Sequence, residues 1–199
     1  MAENLSVKEN NARFTDYPYD LRRDWWVDMQ KRKLASMCSR IRPSESVLDV
    51  GCNSGYIVEF LPAGCTAYGV DLSPSLVAKA IAAGMDARVA PAERLPFKRK
   101  SIDVITCSGL IEYPFDPSAV MREMARVARR SIIITFDHEL GTWGAHRIAA
   151  HAHMVRSYTE AAARALLAEV GTAELYDTIY HGSVPQHVVY EVVLPKVTS

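Results

Sequence analysis

The sequence predicts an α/β fold in which a mostly parallel sheet of seven strands carries helices on both faces. Two observations support this prediction. Short apolar runs of strand length alternate with longer segments of helical periodicity from residue 43 onward, and such alternation is typical of parallel strands joined by helices. In addition, residues 47–56 read as a buried strand, a loop that contains Gly51 and Gly55, and the start of a helix. The last two strands, at residues 175–180 and 187–194, are predicted to form an antiparallel hairpin.

Composition and charge favour a single domain that acts on a small molecule. The chain has 199 residues, and its 23 Lys and Arg residues balance its 23 Asp and Glu residues. The net charge is therefore zero, and it does not favour nucleic acid or a membrane surface as a partner. No apolar run approaches the roughly 20 residues of a membrane span, and residues 1–11 lack the apolar core of a signal peptide. Four scattered cysteines are typical of a protein in a reducing cytoplasm.

Residues 1–42 are predicted to form an N-terminal tail and an amphipathic helical segment, ahead of a domain at residues 43–199. From residue 19 to residue 41, apolar side chains recur at helical spacing and basic side chains occupy the other faces. The pair Trp25 and Trp26 is too apolar for a purely solvated helix. Two interpretations follow: the helix packs on the sheet, or it folds over a ligand as a lid.

The glycine loop after the first strand indicates a ligand other than a dinucleotide. A dinucleotide fingerprint needs three glycines, so that a pyrophosphate can approach the helix N-terminus, whereas Asn53 stands where the second glycine would be. Asp49 lies in the otherwise apolar strand, and its carboxylate would repel a pyrophosphate and attract a cation. Ser54 is predicted to cap a helix that starts at Tyr56.

The end of the second strand supplies a carboxylate at the position where a ribose would bind. This strand covers residues 67–71 and ends in Asp71, which follows Gly51 by 20 residues. A carboxylate can accept hydrogen bonds from both ribose hydroxyls. Leu72 could then cover one face of an adenine. Ser73 is the predicted N-cap of the next helix, with Pro74 at its first position.

The remaining elements complete the predicted sheet. The third, fourth and fifth strands are predicted at residues 85–90, 102–107 and 131–136, and two helices at residues 119–130 and 160–170. Asp116, followed by Pro117, is the predicted cap of the first of these helices, and Thr159 is the predicted cap of the second. Residues 137–157 form an irregular, histidine-rich segment after the fifth strand. Because loops at the carboxyl ends of parallel strands build binding sites, this segment is the predicted substrate wall.

Three segments resemble the class I S-adenosylmethionine-dependent methyltransferases, in particular the methyltransferase type 11 and MetW-like group. The first is the acid-x-Gly pattern from Asp49 through Gly55. The second is Pro91-Ala92-Glu93-Arg94-Leu95-Pro96-Phe97, and the third is Ser108-x-x-Ile111-Glu112-Tyr113. The resemblance implies a Rossmann-like fold and S-adenosyl-L-methionine as cofactor. Pro91 departs from the family pattern, because relatives carry an acid there that would bind the adenine amino group.

The resemblance also implies the cofactor-binding residues. An N-terminal segment closes over the ligand in this family, so Arg32 or Lys33 could reach the methionine carboxylate. The predicted cofactor-binding set is Asp49, Gly51, Asn53, Gly55, Asp71, Leu72, Ala92, Glu93, Ser108 and Arg32.

Methyl transfer from a sulfonium needs positioning of the acceptor behind the methyl group, and it needs a base only if the acceptor loses a proton. The candidate catalytic residues are His138, His151, His153 and Tyr113, with Glu139 as a further possible base. His151 and His153 lack the fixed second ligand pair that would indicate a metal site, so no metal is predicted.

Three functions remain open at this stage. The first is a methyltransferase that acts on an oxygen or nitrogen of a small molecule. The second is a protein that binds the cofactor without turnover or works as the partner of another enzyme, an interpretation favoured by Pro91 and by the absence of one obvious base. The third is a nicotinamide oxidoreductase, against which Asp49 and Asn53 argue. The oligomeric state and the identity of the acceptor are left open.

Overall fold

The computed structural model describes residues 24–114, 116–138 and 156–195. The strands are β1 (Ser46–Val50), β2 (Thr66–Asp71), β3 (Asp86–Val89), β4 (Ile102–Cys107), β5 (Ala128–Asp137), β6 (Thr172–His181) and β7 (Val184–Val193). The helices are α1 (Asp24–Cys38), α2 (Pro74–Ala82), α3 (Pro117–Val127) and α4 (Glu160–Ala168), and a 3₁₀ helix, Tyr56–Phe60, follows the glycine loop.

The seven strands form one sheet in the order β3-β2-β1-β4-β5-β7-β6. Strands β1 to β5 pair in parallel, and β7 is antiparallel to both β5 and β6. The strand order reverses between β1 and β4, and open α/β sheets bind ligands at such a reversal, outside the carboxyl ends of the strands. The predicted Rossmann-like sheet with a C-terminal antiparallel hairpin is confirmed.

Helices cover both faces of the sheet, as predicted. On one face, Met29 and Met37 of α1 join Val77 of α2 in a buried cluster. On the other face, Met124 of α3 and Leu167 of α4 belong to a second cluster. The apolar side of α1 therefore packs on the sheet, against β6 and β7.

The predicted helix caps at three positions are confirmed. The side chains of Ser73, Asp116 and Thr159 accept hydrogen bonds from the first turns of α2, α3 and α4. In α2 and α3, proline occupies the start of the helix. These ends agree with prediction because the cap and the amide that it binds lie three residues apart in the sequence.

The predicted cap at Ser54 is wrong. Gly55, with φ of 77°, precedes the 3₁₀ helix, and no side chain caps it. Ser54 instead donates from both its amide and its hydroxyl to Oδ1 of Asn53. Because the Ser54 hydroxyl is bonded to the Asn53 side chain, it does not accept a hydrogen bond from the first turn of the helix.

The boundary between α3 and β5 also differs from prediction. The helix ends at Val127 and the strand begins at Ala128, so Arg129 and Arg130 lie in the strand rather than in the helix. The Arg129 guanidinium donates to Asp103, and the Arg130 guanidinium donates to Glu45 and Glu191. These partners lie far away in the sequence, so local helical periodicity could not predict them.

Within the described residues, no helix combines the length and the apolar character that crossing a membrane would require. The same part of the chain contains no group of three or more His, Cys, Asp or Glu side chains arranged to hold a metal ion.

Candidate active site

The glycine loop lies at the carboxyl end of β1 and is tied to β2. The amides of Gly51 and Cys52 donate to the carbonyl of Val70 at 2.8 and 3.0 Å. Gly51 has φ of 78°, and a Cβ there would lie 2.8 Å from Cδ1 of Leu110. Asn53 adopts φ of 50°, a left-handed conformation that asparagine tolerates better than most residues. Position 51 therefore requires glycine, because its backbone is left-handed and a side chain there would collide with Leu110.

Asp71 connects this loop with helix α2. One carboxylate oxygen accepts from the amide of Asn53 at 3.0 Å, and the other accepts from the amide of Ser73 at 2.9 Å. Burial raises the pKa of Asp71, and the backbone hydrogen bonds oppose that shift. Because each carboxylate oxygen can accept a second hydrogen bond, Asp71 can hold the loop and still bind two hydroxyls of a ligand.

Asp49 lies beneath the loop as a buried acid. Its side chain accepts a hydrogen bond of 2.7 Å from the Thr106 hydroxyl, and the residue is only 5% exposed. Burial raises the pKa of Asp49 to about 7, and the neighbouring Asp71 adds to that shift, whereas Thr106 and Lys33 oppose it. A cationic ligand group nearby would stabilise the charged carboxylate.

Helix α1 brings Lys33, rather than Arg32, to the site. Lys33 is 3% exposed, and its Nζ lies 3.8 Å from the position that a Cβ would take at Gly109, just after β4. Arg32 lies on the exposed side of α1, where it binds Asp28 and the carbonyl of Tyr180. A buried ammonium group beside a glycine turn suits a ligand carboxylate.

The segment after β3 forms the third wall. The backbone amide of Ala90 donates to the carbonyl of Asp71 at 3.1 Å, and the backbone amide of Arg94 donates to the carbonyl of Pro91 at 3.1 Å. Ala92 is buried, while Leu72 and Glu93 are partly exposed. Arg126 of α3 donates to the carbonyl of Phe97, which fixes the far end of this turn.

The predicted acceptor side is partly described. Ser108 and Tyr113 follow β4, and the Tyr113 amide donates to the Leu110 carbonyl at 2.9 Å. His138 follows β5, and its amide donates to the Gln186 carbonyl at 2.8 Å. The other predicted catalytic residues, His151 and His153, and the possible base Glu139 lie outside the described residues.

A buried ionisable cluster near His138 was missed by sequence reasoning. Nδ1 of His187 lies 2.9 Å from Oδ1 of Asp137, and the Asp137 amide donates to Oε1 of Glu112 at 2.9 Å. All three residues are buried. The pairing of β5 with β7 places Asp137 opposite His187. The only sequence signal is a histidine near the start of a strand that is otherwise apolar.

These groups fit the ligand that the sequence resemblance implies. S-adenosylmethionine carries a carboxylate, an ammonium group, two ribose hydroxyls and an adenine. Lys33 matches the carboxylate, the buried Asp49 lies where a positive charge would be stabilised, and Asp71 can accept from hydroxyls.

Comparison with known proteins identifies similar chains. Residues 48–135 match the family described as methyltransferase domain. A ubiquinone biosynthesis O-methyltransferase from Coxiella burnetii is 29% identical over 146 residues, which cover 65% of this chain and 61% of the relative. A protein of the same name from Xanthomonas oryzae pv. oryzae is 35% identical over 91 residues. The chain thus spans about three fifths of the length of the Coxiella relative.

Solved structures share the fold at low sequence identity. A methyltransferase from Haloferax volcanii, in complex with the Trm112 methyltransferase activator, superposes with a TM-score of 0.70 at 17% identity, covering 87% of this chain and 94% of its own. Magnesium protoporphyrin IX methyltransferase from Synechocystis PCC 6803 with bound SAH gives a TM-score of 0.66 at 18% identity, covering 96% and 95% of the two chains.

Proposed function

We infer the function from one premise, that residues 48–135 form a domain of the class I S-adenosylmethionine-dependent methyltransferase family. We propose that the chain binds S-adenosyl-L-methionine and transfers its methyl group to an oxygen or nitrogen atom of a small molecule. The observation that carries this proposal is the position of Asp71, at the end of β2 and bonded to the glycine loop. The equal number of acidic and basic residues supports a small acceptor rather than nucleic acid.

In this proposal each part of the cofactor has a protein partner. Asp71 binds the ribose hydroxyls, Asp49 stabilises the positive charge, and Lys33 binds the carboxylate. The Ala92 amide faces the adenine, which Leu72 and Glu93 flank. The bound cofactor supplies a methyl group already activated by its sulfonium, so the chain does not need to activate the carbon.

The task left to the protein is to place the acceptor and exclude water. In-line transfer requires the acceptor atom opposite the leaving sulfur, at the carboxyl ends of β4 and β5. Tyr113 and His138 follow those two strands, and we propose that they orient the acceptor or take its proton. The Asp137–His187 pair holds the adjoining ends of β5 and β7 in register.

A second candidate is a cofactor-binding protein that works only with a partner. Pro91 favours it, because the acid expected at this position is missing and adenine binding loses one hydrogen bond. The similar Haloferax volcanii protein was solved together with a methyltransferase activator, which shows that this fold can occur with a partner.

We further propose that the protein works in the cytoplasm. All four cysteines are free thiols, and Cys38, Cys52 and Cys107 are buried. Free thiols persist in a reducing compartment.

Calorimetry with S-adenosylhomocysteine tests the cofactor site. Asp71→Ala should weaken binding at least about tenfold, because hydrogen bonds from ligand hydroxyls to a charged group contribute roughly 1.5–3 kcal/mol. Asp86→Ala is the matched control, since Asp86 is an exposed aspartate on the edge strand β3. Equal affinity in wild type and Asp71→Ala would refute the proposed site.

Turnover distinguishes the two candidates. The protein is incubated with S-adenosylmethionine and a panel of small phenols, carboxylic acids and amines, and S-adenosylhomocysteine is quantified. Product formation supports the methyltransferase. Tight cofactor binding without product from any acceptor supports the partner-dependent protein.

A further inference from the structure

Asp49 points from the carboxyl end of β1 toward the face of the sheet that α1 covers. Val47, two positions earlier, packs on that face with Met37 of α1, and side chains two apart in a strand share a face. Oδ1 of Asp49 accepts from Thr106, its partner in β4. Oδ2 accepts from no group in the described part of the chain and is not sealed from solvent. One carboxylate oxygen is therefore open to a ligand where the strand order reverses between β1 and β4.

Two further charged groups lie close enough to Asp49 to act on its charge. Asp71 raises the pKa of Asp49, and Lys33 lowers it. Both oxygens of Asp71 accept hydrogen bonds from backbone amides, an arrangement that favours the ionised form. When Asp49 is ionised, two carboxylates and one ammonium group leave one net negative charge in the site. When Asp49 is protonated, the remaining carboxylate and the ammonium group cancel.

The thiols that face Asp49 add no charge at neutral pH. Cys38 of α1, Cys52 of the glycine loop and Cys107 of β4 are buried, and the charge of Asp49 acts on all three. Burial and the nearby carboxylates raise the pKa of Cys38 to about 12 and raise the pKa values of Cys52 and Cys107 above the ordinary 9.0. Because burial raises the pKa of Asp49 to about 7, Asp49 is the group of this set that changes its charge near neutral pH.

The two forms of the cofactor differ by one positive charge. S-adenosylmethionine carries a sulfonium, an ammonium group and a carboxylate, so its net charge is positive. S-adenosylhomocysteine has a thioether in place of the sulfonium and is neutral overall, because the sulfur keeps the electron pair of the broken bond when the methyl group leaves. A site with one net negative charge is therefore complementary to the donor but not to the product.

We propose that Asp49 is the residue by which this site discriminates the positively charged donor from its neutral product. The inference rests on the proposed function, because it takes S-adenosylmethionine as the ligand, and it adds a specificity-determining role for one carboxylate. Ionised Asp49 stabilises the donor complex more than the product complex, so methyl transfer leaves the product in a site whose negative charge has lost a counterion. Once Asp49 is protonated, charge no longer favours the donor.

Calorimetry of the full-length protein with both ligands at pH 5.5 and pH 7 tests this role. The wild-type preference for the donor should rise about 3- to 10-fold between the two pH values, because ionisation of one group changes a binding constant by at most about tenfold per pH unit. The ligand keeps its ammonium group in this window, since an α-amino group ordinarily titrates at about 7.7–8.0. An equal preference at both pH values would overturn the proposal.

Two variants define the origin of the pH dependence. Asp49→Asn keeps an oxygen that can accept from Thr106, but it cannot ionise, so its donor preference should not change between pH 5.5 and pH 7. Asp86→Asn is the matched control, because Asp86 is an exposed aspartate on the edge strand β3, and it should retain the wild-type profile. A wild-type profile in Asp49→Asn would assign the effect to another group and refute the role of Asp49.

Proton release is a readout that a purely structural role of Asp49 would not change. Calorimetry at pH 6 in two buffers with different enthalpies of ionisation counts the protons released on binding. In wild type, the donor should release up to about one proton more than the product does, since the sulfonium favours the ionised carboxylate. In Asp49→Asn the two ligands should release equal numbers. Equal release in wild type, or a difference that persists in Asp49→Asn, would overturn the proposal.

Thr106→Val tests the same idea with Asp49 in place, and it serves if Asp49→Asn does not fold. The hydrogen bond from the Thr106 hydroxyl lowers the pKa of Asp49. Its loss should therefore move the midpoint of the donor preference to higher pH, so that the preference at pH 7 falls below that of wild type. A midpoint equal to or lower than that of wild type would contradict the proposal.

Failure of this inference can be told apart from failure of the proposed function. Asp71→Ala should weaken both ligands. If Asp71→Ala bound both ligands as wild type does, the cofactor site would be refuted, and the role of Asp49 with it. If Asp71→Ala weakened both ligands while the wild-type preference for the donor stayed the same at both pH values, the cofactor site would stand and only the role of Asp49 would fail.

Discussion

Asp49 is an acid in the apolar interior of β1, and at the scale of single residues it links pH to stability. Its folded pKa of about 7 stands above the ordinary value of 3.8. Between these values the folded protein retains a proton that the unfolded chain releases, so stability falls as the pH rises from about 4 to 7. The buried carboxyl thus carries a stability cost at neutral pH that a bound cation would offset.

We expect Asp49→Asn to remove this pH dependence. From pH 5 to pH 7, wild type without ligand should lose about 2 kcal/mol of unfolding free energy relative to Asp49→Asn, given about 1.4 kcal/mol per pH unit for one proton. Urea unfolding at several pH values measures the difference. Parallel pH profiles for the two proteins would show that Asp49 has an ordinary pKa.

Lys33 and Arg32 are adjacent residues of α1, but Lys33 is buried and Arg32 is exposed. Lys33→Met should weaken S-adenosylhomocysteine binding about tenfold or more, because it removes the buried ammonium group that we propose binds the ligand carboxylate. Arg32→Met, the matched control, should change it less than twofold, since Arg32 binds only Asp28 and the Tyr180 carbonyl among described groups. Calorimetry measures both variants, and the reverse ranking would place Arg32 at the cofactor.

At the scale of elements, the two ends of α3 are defined in different ways. Neighbouring residues define its start, and residues far away in the sequence define its end. Its start is set by Asp116, whose Oδ1 accepts from the Ala119 amide at 2.8 Å, and by Pro117. Its end is set by Arg130, which three distant groups hold in β5. The start of α3 can be predicted from four consecutive residues, whereas its end depends on contacts that form only in the assembled sheet.

We expect Asp116→Ala to destabilise the protein by about 0.5–2 kcal/mol, the usual contribution of an N-cap. Asp116→Asn is the control that keeps the cap and removes the charge. It should retain most of the stability, because the ion pair between Asp116 and Arg122 is exposed and contributes little. Chemical denaturation distinguishes them; equal losses in both variants would assign the effect to charge.

At the scale of the whole molecule, Arg130 joins segments that are far apart in the sequence. Its guanidinium binds Glu45 ahead of β1, Glu191 of β7 and the carbonyl of Arg40 after α1. Burial raises the pKa of Glu45, but the hydrogen bonds from Arg130 and Arg42 outweigh it and hold that pKa below its ordinary value. The network therefore contributes stability above about pH 4.5 that is lost as the pH falls through the lower folded pKa.

Arg130→Met should destabilise the protein by about 1.5–3 kcal/mol, because hydrogen bonds between charged groups are lost and two carboxylates remain without this partner. Adding Glu191→Gln to Arg130→Met should recover part of that loss, since one unpaired charge is removed. Thermal denaturation of the single and double variants at pH 7 provides the test. A double variant less stable than Arg130→Met would contradict this account.

The sequence by itself determined the alternation of strands and helices, the glycine loop, Asp71 at the end of β2 and the caps of three helices. Each of these features depends on residues that lie a few positions apart, so it can be recognised from the sequence without the folded structure. The tertiary structure alone decided that Lys33 rather than Arg32 faces Gly109, because neighbouring helical residues point about 100° apart and only docking of α1 selects between them. It also decided the pairing of Asp137 with His187, since the register of β5 against β7 brings together two groups that no local pattern connects.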